Sequence, residues 1–162
     1  MNKVRLEEVI ESGDLKEALK ITEDVGETLD HSLAPILLRY LATTDSVLLR
    51  NAIAVTLAYL GDSEAALPLI DLLRSPETKG NRGTLLYALE FFDVSNHVVM
   101  LVDLLDDNFE VSRQSYQLIS NVQDKITKAQ KDICRQMIRG KLEDHKNKYK
   151  RDFLLESLEL FT

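Results

Sequence analysis

Leu69-Ile70-Asp71-Leu72-Leu73 returns 32 residues later as Leu101-Val102-Asp103-Leu104-Leu105, and Leu37-Leu38-Arg39-Tyr40-Leu41 precedes it at the same interval. A second set keeps that spacing: Arg50 and Arg82, Val55 and Tyr87, Leu57 and Leu89, Tyr59 and Phe91, Leu60 and Phe92. A period of this size marks a stacked supersecondary unit, which cannot bury its apolar face alone and closes its core against its neighbours. Stacks of helix pairs present long concave surfaces and do not by themselves make a catalytic pocket.

Apolar residues recur at three and four throughout, which predicts helices and almost no strand. Short helices are expected over 4–11 and 15–24, with longer ones over 32–43 and 46–60. Two further pairs fall at 64–74 with 79–92, and at 96–105 with 109–122. A last pair spans 127–144 and 147–160. Gly61-Asp62-Ser63, Ser75-Pro76-Glu77 and Asp93-Val94-Ser95-Asn96 supply stops and caps between them, with Ser63 and Asn96 as N-caps. Pro35 and Pro68 fall early in their helices, where the missing N–H costs little. Loops of a few residues force neighbouring helices antiparallel. The expected fold is all-α, an α-solenoid of about five antiparallel helix hairpins in a single domain spanning 1–162.

The run from Val47-Leu48-Leu49-Arg50-Asn51-Ala52 through Leu57-Ala58-Tyr59-Leu60-Gly61-Asp62, then Ala65-Ala66-Leu67-Pro68-Leu69-Ile70-Asp71-Leu72-Leu73, resembles a HEAT-like repeat of bacterial type. The likeness is good over 34–75 and fair over 76–93. It is weaker over 97–122, where Arg113 comes one place early and the Gly-Asp stop is gone. Segments 1–30 and 125–162 fall outside it and are expected to be an N-terminal cap and a basic C-terminal capping hairpin. The resemblance implies a right-handed stack of helix hairpins that usually serves as a protein-binding scaffold. It implies too that Arg50, Arg82 and Arg113 form a structural ladder to acidic turns of adjacent repeats. Some members of the class are enzymes acting on DNA or on bilin chromophores.

Net charge is −7, which argues against nucleic acid or an anionic membrane as the partner. The charge is uneven. Residues 1–124 hold 10 Lys and Arg against 21 Asp and Glu, while 125–162 hold 10 against 6. The basic stretch reads as a solvated face, a phosphate-tracking patch, or a set of cations pairing with the acidic repeats. The acids read either as helix caps and solubilising charge, with Asp14, Asp45, Asp62, Asp93 and Asp107 all at turns, or as a field that steers a basic partner. The longest clean apolar run, Val98–Val102, is too short to cross a bilayer. No secretory apolar segment opens the chain, and the lone Cys134 suits a reducing compartment, so a cytoplasmic location is expected.

No set of residues presents a catalytic or metal-binding pattern. His31, His97 and His145 are scattered, and no His-Glu-x-x-His or Cys-x-x-Cys occurs. Neither catalytic residues nor a metal or cofactor is expected. Cys134, among Ile133, Met137 and Ile138, is expected to be a buried core thiol. On helix 46–60, Val47, Ala52, Ile53, Leu57 and Leu60 take core positions, whereas Val55 and Tyr59 fall on another face. Tyr59, Tyr87 and Phe91 then form an aromatic strip that Tyr116 and Gln117 extend, bordered by the acids Asp62, Glu90 and Asp93. Aromatics on a concave face are the usual anchors of an interface. The function expected is protein binding. Its most concrete form is an immunity protein that occludes the active groove of a basic nuclease-type toxin from a contact-dependent growth inhibition system. Small HEAT-like chains resemble such proteins in architecture and charge. The rival readings are a general scaffold or assembly factor, and a HEAT-like nucleic-acid- or chromophore-modifying enzyme.

Overall fold

The computed structural model describes residues 3–162 and is all-helical over them, with no strand. Ten α-helices run in order: α1 (Lys3–Ser12), α2 (Leu15–Thr28), α3 (Ala34–Thr43), α4 (Val47–Leu60), α5 (Ala66–Arg74), α6 (Gly83–Leu89), α7 (Val98–Asp103), α8 (Phe109–Asn121), α9 (Lys128–Asp144) and α10 (Lys148–Leu158). They fall into two compact units, one ending at Phe92 and the other spanning Asp93–Thr162.

Side-chain caps set where five of these helices begin. The Asp14 carboxylate accepts the Glu17 N–H at 3.1 Å, Ser46 Oγ the Leu49 N–H at 3.3 Å, and Asn108 the Val111 N–H at 3.0 Å. Thr127 and Gln130 close a reciprocal capping box at α9, satisfying two N–H groups that a helix start otherwise leaves bare. The period also governs the ends. Gly61 stops α4 in the left-handed region (φ 65°), and Leu29, 32 residues earlier, stops α2 in the same conformation (φ 51°).

Several local expectations are corrected. Neither Ser63 nor Asn96 is an N-cap: Asp62 caps the turn Ser63–Ala65, and the turn Ser95–His97 has Val94 at its cap position with no side-chain cap. Asp62 accepts the Glu64 N–H and Asp93 the Ser95 N–H, each at 3.0 Å. Asp45 does not cap α4; Ser46 does. The helix expected over 79–92 shrinks to Gly83–Leu89, because Pro76–Thr78 forms its own turn and Gly80 takes a φ of 90°. The helix expected to end at 24 runs on to Thr28.

In the first unit α4 packs against α2, α3 and α6, while α5 packs on α6 and on α3. Ile53, Leu57, Leu37, Leu69, Ile70 and Leu86 are fully buried there. Each such side chain contributes about 1.5–3 kcal/mol by leaving water. Val47 and Ala52, placed in the core by their spacing, are only half-buried. The α2–α4 contact is close because Gly26 presents no side chain. A Cβ there would sit 3.4 Å from the Thr56 hydroxyl. That buried hydroxyl donates to the Thr22 carbonyl at 3.0 Å.

In the second unit α7 packs against α8 and α9, and α9 against α10. Cys134 is fully buried, and burial pushes its thiol up to about 11. Much of the basic stretch is bonded within this unit. Lys125 pairs with Asp93 at 2.8 Å, and Lys141 with Asp106 at 3.0 Å. Lys150 donates to the Asp106 carbonyl at 2.7 Å, Arg135 donates to the Phe161 carbonyl, and Arg151 donates to the Leu142 carbonyl.

Candidate functional site

The 32-residue spacing places Tyr59 near the end of α4 and Phe91 just past α6. Their rings meet edge to face with centroids 5.5 Å apart. Tyr87, one turn before Phe91, makes a second edge-to-face contact at 5.8 Å. The Tyr59 and Tyr87 hydroxyls lie 3.4 Å apart, and that contact holds the Tyr87 phenol above its ordinary range. The rings nevertheless stay open to solvent, with Tyr59 50%, Tyr87 37% and Phe91 47% exposed. Core aromatics would be sealed. These three gather into one cluster and stay roughly half open. Glu90, between Tyr87 and Phe91, is exposed, and Asp62 is half-exposed with its carboxylate engaged at its turn.

Beside this cluster the first unit holds a cavity of about 500 Å³. Its lining comes from α2 (Glu23, Gly26, Glu27), from α4 (Asn51, Ala52, Val55, Thr56, Tyr59) and from Thr84 of α6. Tyr59 belongs to both the cluster and the cavity. Residues up to Phe92 include 9 Lys and Arg against 15 Asp and Glu, so this unit carries a net −6 of the chain's −7.

The remaining predicted residues lie in the second unit or in structural roles. Tyr116 is half-buried and packs on Phe153 with centroids 5.7 Å apart. Gln117 donates to Asn121 at 2.8 Å. Asp93 is held well below the usual carboxylate range by its Lys125 hydrogen bond and by the Ser95 N–H. Of the three ladder arginines, Arg82 donates to the Ser75 carbonyl at 3.3 Å and reaches the Thr78 hydroxyl at 3.5 Å. Arg113 lies over the Phe153 ring at 4.5 Å and within 4.0 Å of Glu156. Arg50 is buried, and its Nε has no hydrogen-bond partner among the described residues. A second cavity, of about 360 Å³, opens between α8 and α10, with Arg113 and Phe153 in its wall and the exposed rings of Phe109 and Tyr149 beside them.

His145 contacts Asp106 at 3.1 Å, alongside Lys141. Among the described residues no group of three His, Cys, Asp or Glu is placed to hold a metal ion. No helix of the described residues is long and apolar enough to cross a membrane.

Sequence reasoning missed Glu23, Glu27, Asn51 and Thr84. Segment 1–30 lies outside the repeat likeness, so α2 drew no attention as a partner of α4. One signal was available. Gly26 sits inside a helical pattern with no turn around it, which marks close backbone approach rather than a stop.

No known family's model matches the chain, and neither does any curated protein.

Proposed function

We propose that this chain is a HEAT-like α-solenoid of stacked helix hairpins that acts as a non-catalytic protein-binding module for a basic polypeptide. The observation that carries the reading is the open Tyr59–Tyr87–Phe91 cluster on a unit of net charge −6. Clustered aromatics supply contact area with few rotatable bonds, so they anchor interfaces at low entropic cost. The surrounding carboxylates steer a cationic partner and raise its encounter rate.

The narrower form of the proposal is an immunity protein of a contact-dependent growth inhibition system. A nuclease-type toxin binds a polyanion and therefore presents a cationic groove, and an acidic surface bearing apolar anchors is the chemical complement of such a groove. Inhibition follows by occlusion, with the groove covered and no bond made or broken.

The test is affinity capture from the native cells with the wild-type chain and with Tyr59→Ala/Phe91→Ala, each captured chain then being identified. The expected result is a small basic protein that the wild type retains and the double variant loses. Capture of the same chains by both, or of no basic chain by the wild type, would overturn the proposal. The immunity form further requires that the captured protein cut nucleic acid and stop doing so when bound.

A further inference from the structure

We infer that the cavity between α2, α4 and α6 is the seat for one arginine side chain of the partner polypeptide. The inference deepens the protein-binding reading and rests on it. Four observations lead there.

The first is unspent negative charge. Glu23 and Glu27 stand one turn apart on α2, both exposed and both lining the cavity. Neither has a hydrogen bond or ion pair among the described residues. Like charges at this spacing destabilise a helix slightly, and a bound cation would offset that cost.

The second is an orphaned acceptor. Asn51 Oδ1 is buried and has no hydrogen-bond partner among the described residues, and its residue lines the same cavity. Buried acceptors without a donor are costly and uncommon in folded proteins. A donor brought in by a ligand would satisfy it.

The third is the shape of the wall. Gly26, Ala52 and Val55 give a small-residue, largely apolar surface, against which the methylene stem of a long cationic side chain can lie while its head stays polar. About 500 Å³ is ample for such a group.

The fourth is the Tyr59 ring, which lines the cavity and is half exposed. A planar guanidinium stacks on an aromatic face and donates to several acceptors at once, whereas an ammonium is a compact point charge. Two carboxylates, an amide oxygen and a ring therefore fit arginine better than lysine.

The experiment titrates the isotope-labelled chain with acetyl-Gly-Arg-Gly-amide and with its citrulline counterpart, which keeps the shape and loses the charge. The arginine peptide is expected to shift the Gly26 and Thr84 amides and the Asn51 side-chain amide along one saturable curve. The citrulline peptide is expected to bind at least about tenfold more weakly. Glu23→Gln/Glu27→Gln should remove the difference between the two peptides, and Ala52→Leu, which fills the cavity without changing charge, should weaken both. Equal binding of the two peptides by the wild type, or shifts indifferent to these substitutions, would overturn the inference. Capture from cells separates it from the broader reading. A basic chain retained by Glu23→Gln/Glu27→Gln and lost by Tyr87→Ala/Phe91→Ala overturns the arginine seat while leaving the binding module intact. Saturable arginine binding with no basic chain captured supports the seat and overturns the module.

Discussion

Thr56 of α4 donates its hydroxyl to the Thr22 carbonyl of α2 at 3.0 Å, with both residues sealed from solvent. The bond lies where Gly26 lets the two helices approach, directly under the cavity. It ties the wall of the candidate site to the core of the first unit. Thr56→Val keeps the shape and removes the donor, so it should cost about 1 kcal/mol. The change is read as a lower urea midpoint with an unaltered slope.

Tyr59→Ala with Phe91→Ala should leave the fold in place. The rings are about half exposed and meet edge to face. An aromatic pair of this kind contributes about 0.5–1.5 kcal/mol beyond its buried area. Helical circular dichroism should be unchanged and the melting temperature only modestly lower, while partner retention is lost. Collapse of the helical signal would make these rings core residues and sink the interface assignment.

Leu29 occupies the left-handed region that Gly61 occupies one period later. A side chain in that conformation costs about 1–2 kcal/mol, and leucine has no polar group to offset it. Leu29 is 54% exposed, so little packing is lost on trimming it. Leu29→Gly should therefore stabilise the chain by about 1 kcal/mol, less the greater freedom glycine gains on unfolding. Thermal unfolding of the two proteins side by side checks the sign.

Asp106 is partly buried, which raises its pKa, but the hydrogen bonds from His145 and Lys141 outweigh burial and hold it below the ordinary value. Asp93 is lowered as well, first by Lys125. Both carboxylates bind protons less readily folded than unfolded. The stability they contribute is thus present above about pH 4 and is lost as the pH falls through their folded values. Asp106→Asn should cost about 1–2 kcal/mol at neutral pH and flatten the acid limb of the stability profile. Urea unfolding at a series of pH values measures both effects.

Glu90→Lys places a cation beside the Tyr87 and Phe91 rings while leaving the Asp62 and Asp93 turns intact. It should slow association with a basic partner by several-fold and change dissociation less, an effect that fades with added salt. Stopped-flow mixing at two ionic strengths separates the two rates.

The sequence made the helices readable and much less of their entrances. Ser46, Gly61 and the Thr127/Gln130 box act as their types suggest, because capping is decided by residues next to one another. The aspartate turns at 62 and 93 were harder to read. Asx turns and helix caps draw on the same residue types, and only the backbone path separates them. Tyr59, Tyr87 and Phe91 were readable as neighbours from their spacing. The cavity was not, since it depends on how closely α2 approaches α4, and that is set by one glycine, Gly26, and one hydroxyl, that of Thr56. Ala52 and Val47 misled for a related reason. Ala52 lines the cavity instead of a sealed contact, and Val47 opens α4 only half-buried.

These 162 residues contain one thiol, that of Cys134, and it is shut inside the second unit. The described surface therefore offers no sulfur for a mixed disulfide, and any assembly this chain forms through that surface must be held by reversible contacts. Its lifetime will be set by how slowly those contacts let go, not by the making or reduction of a disulfide at that surface.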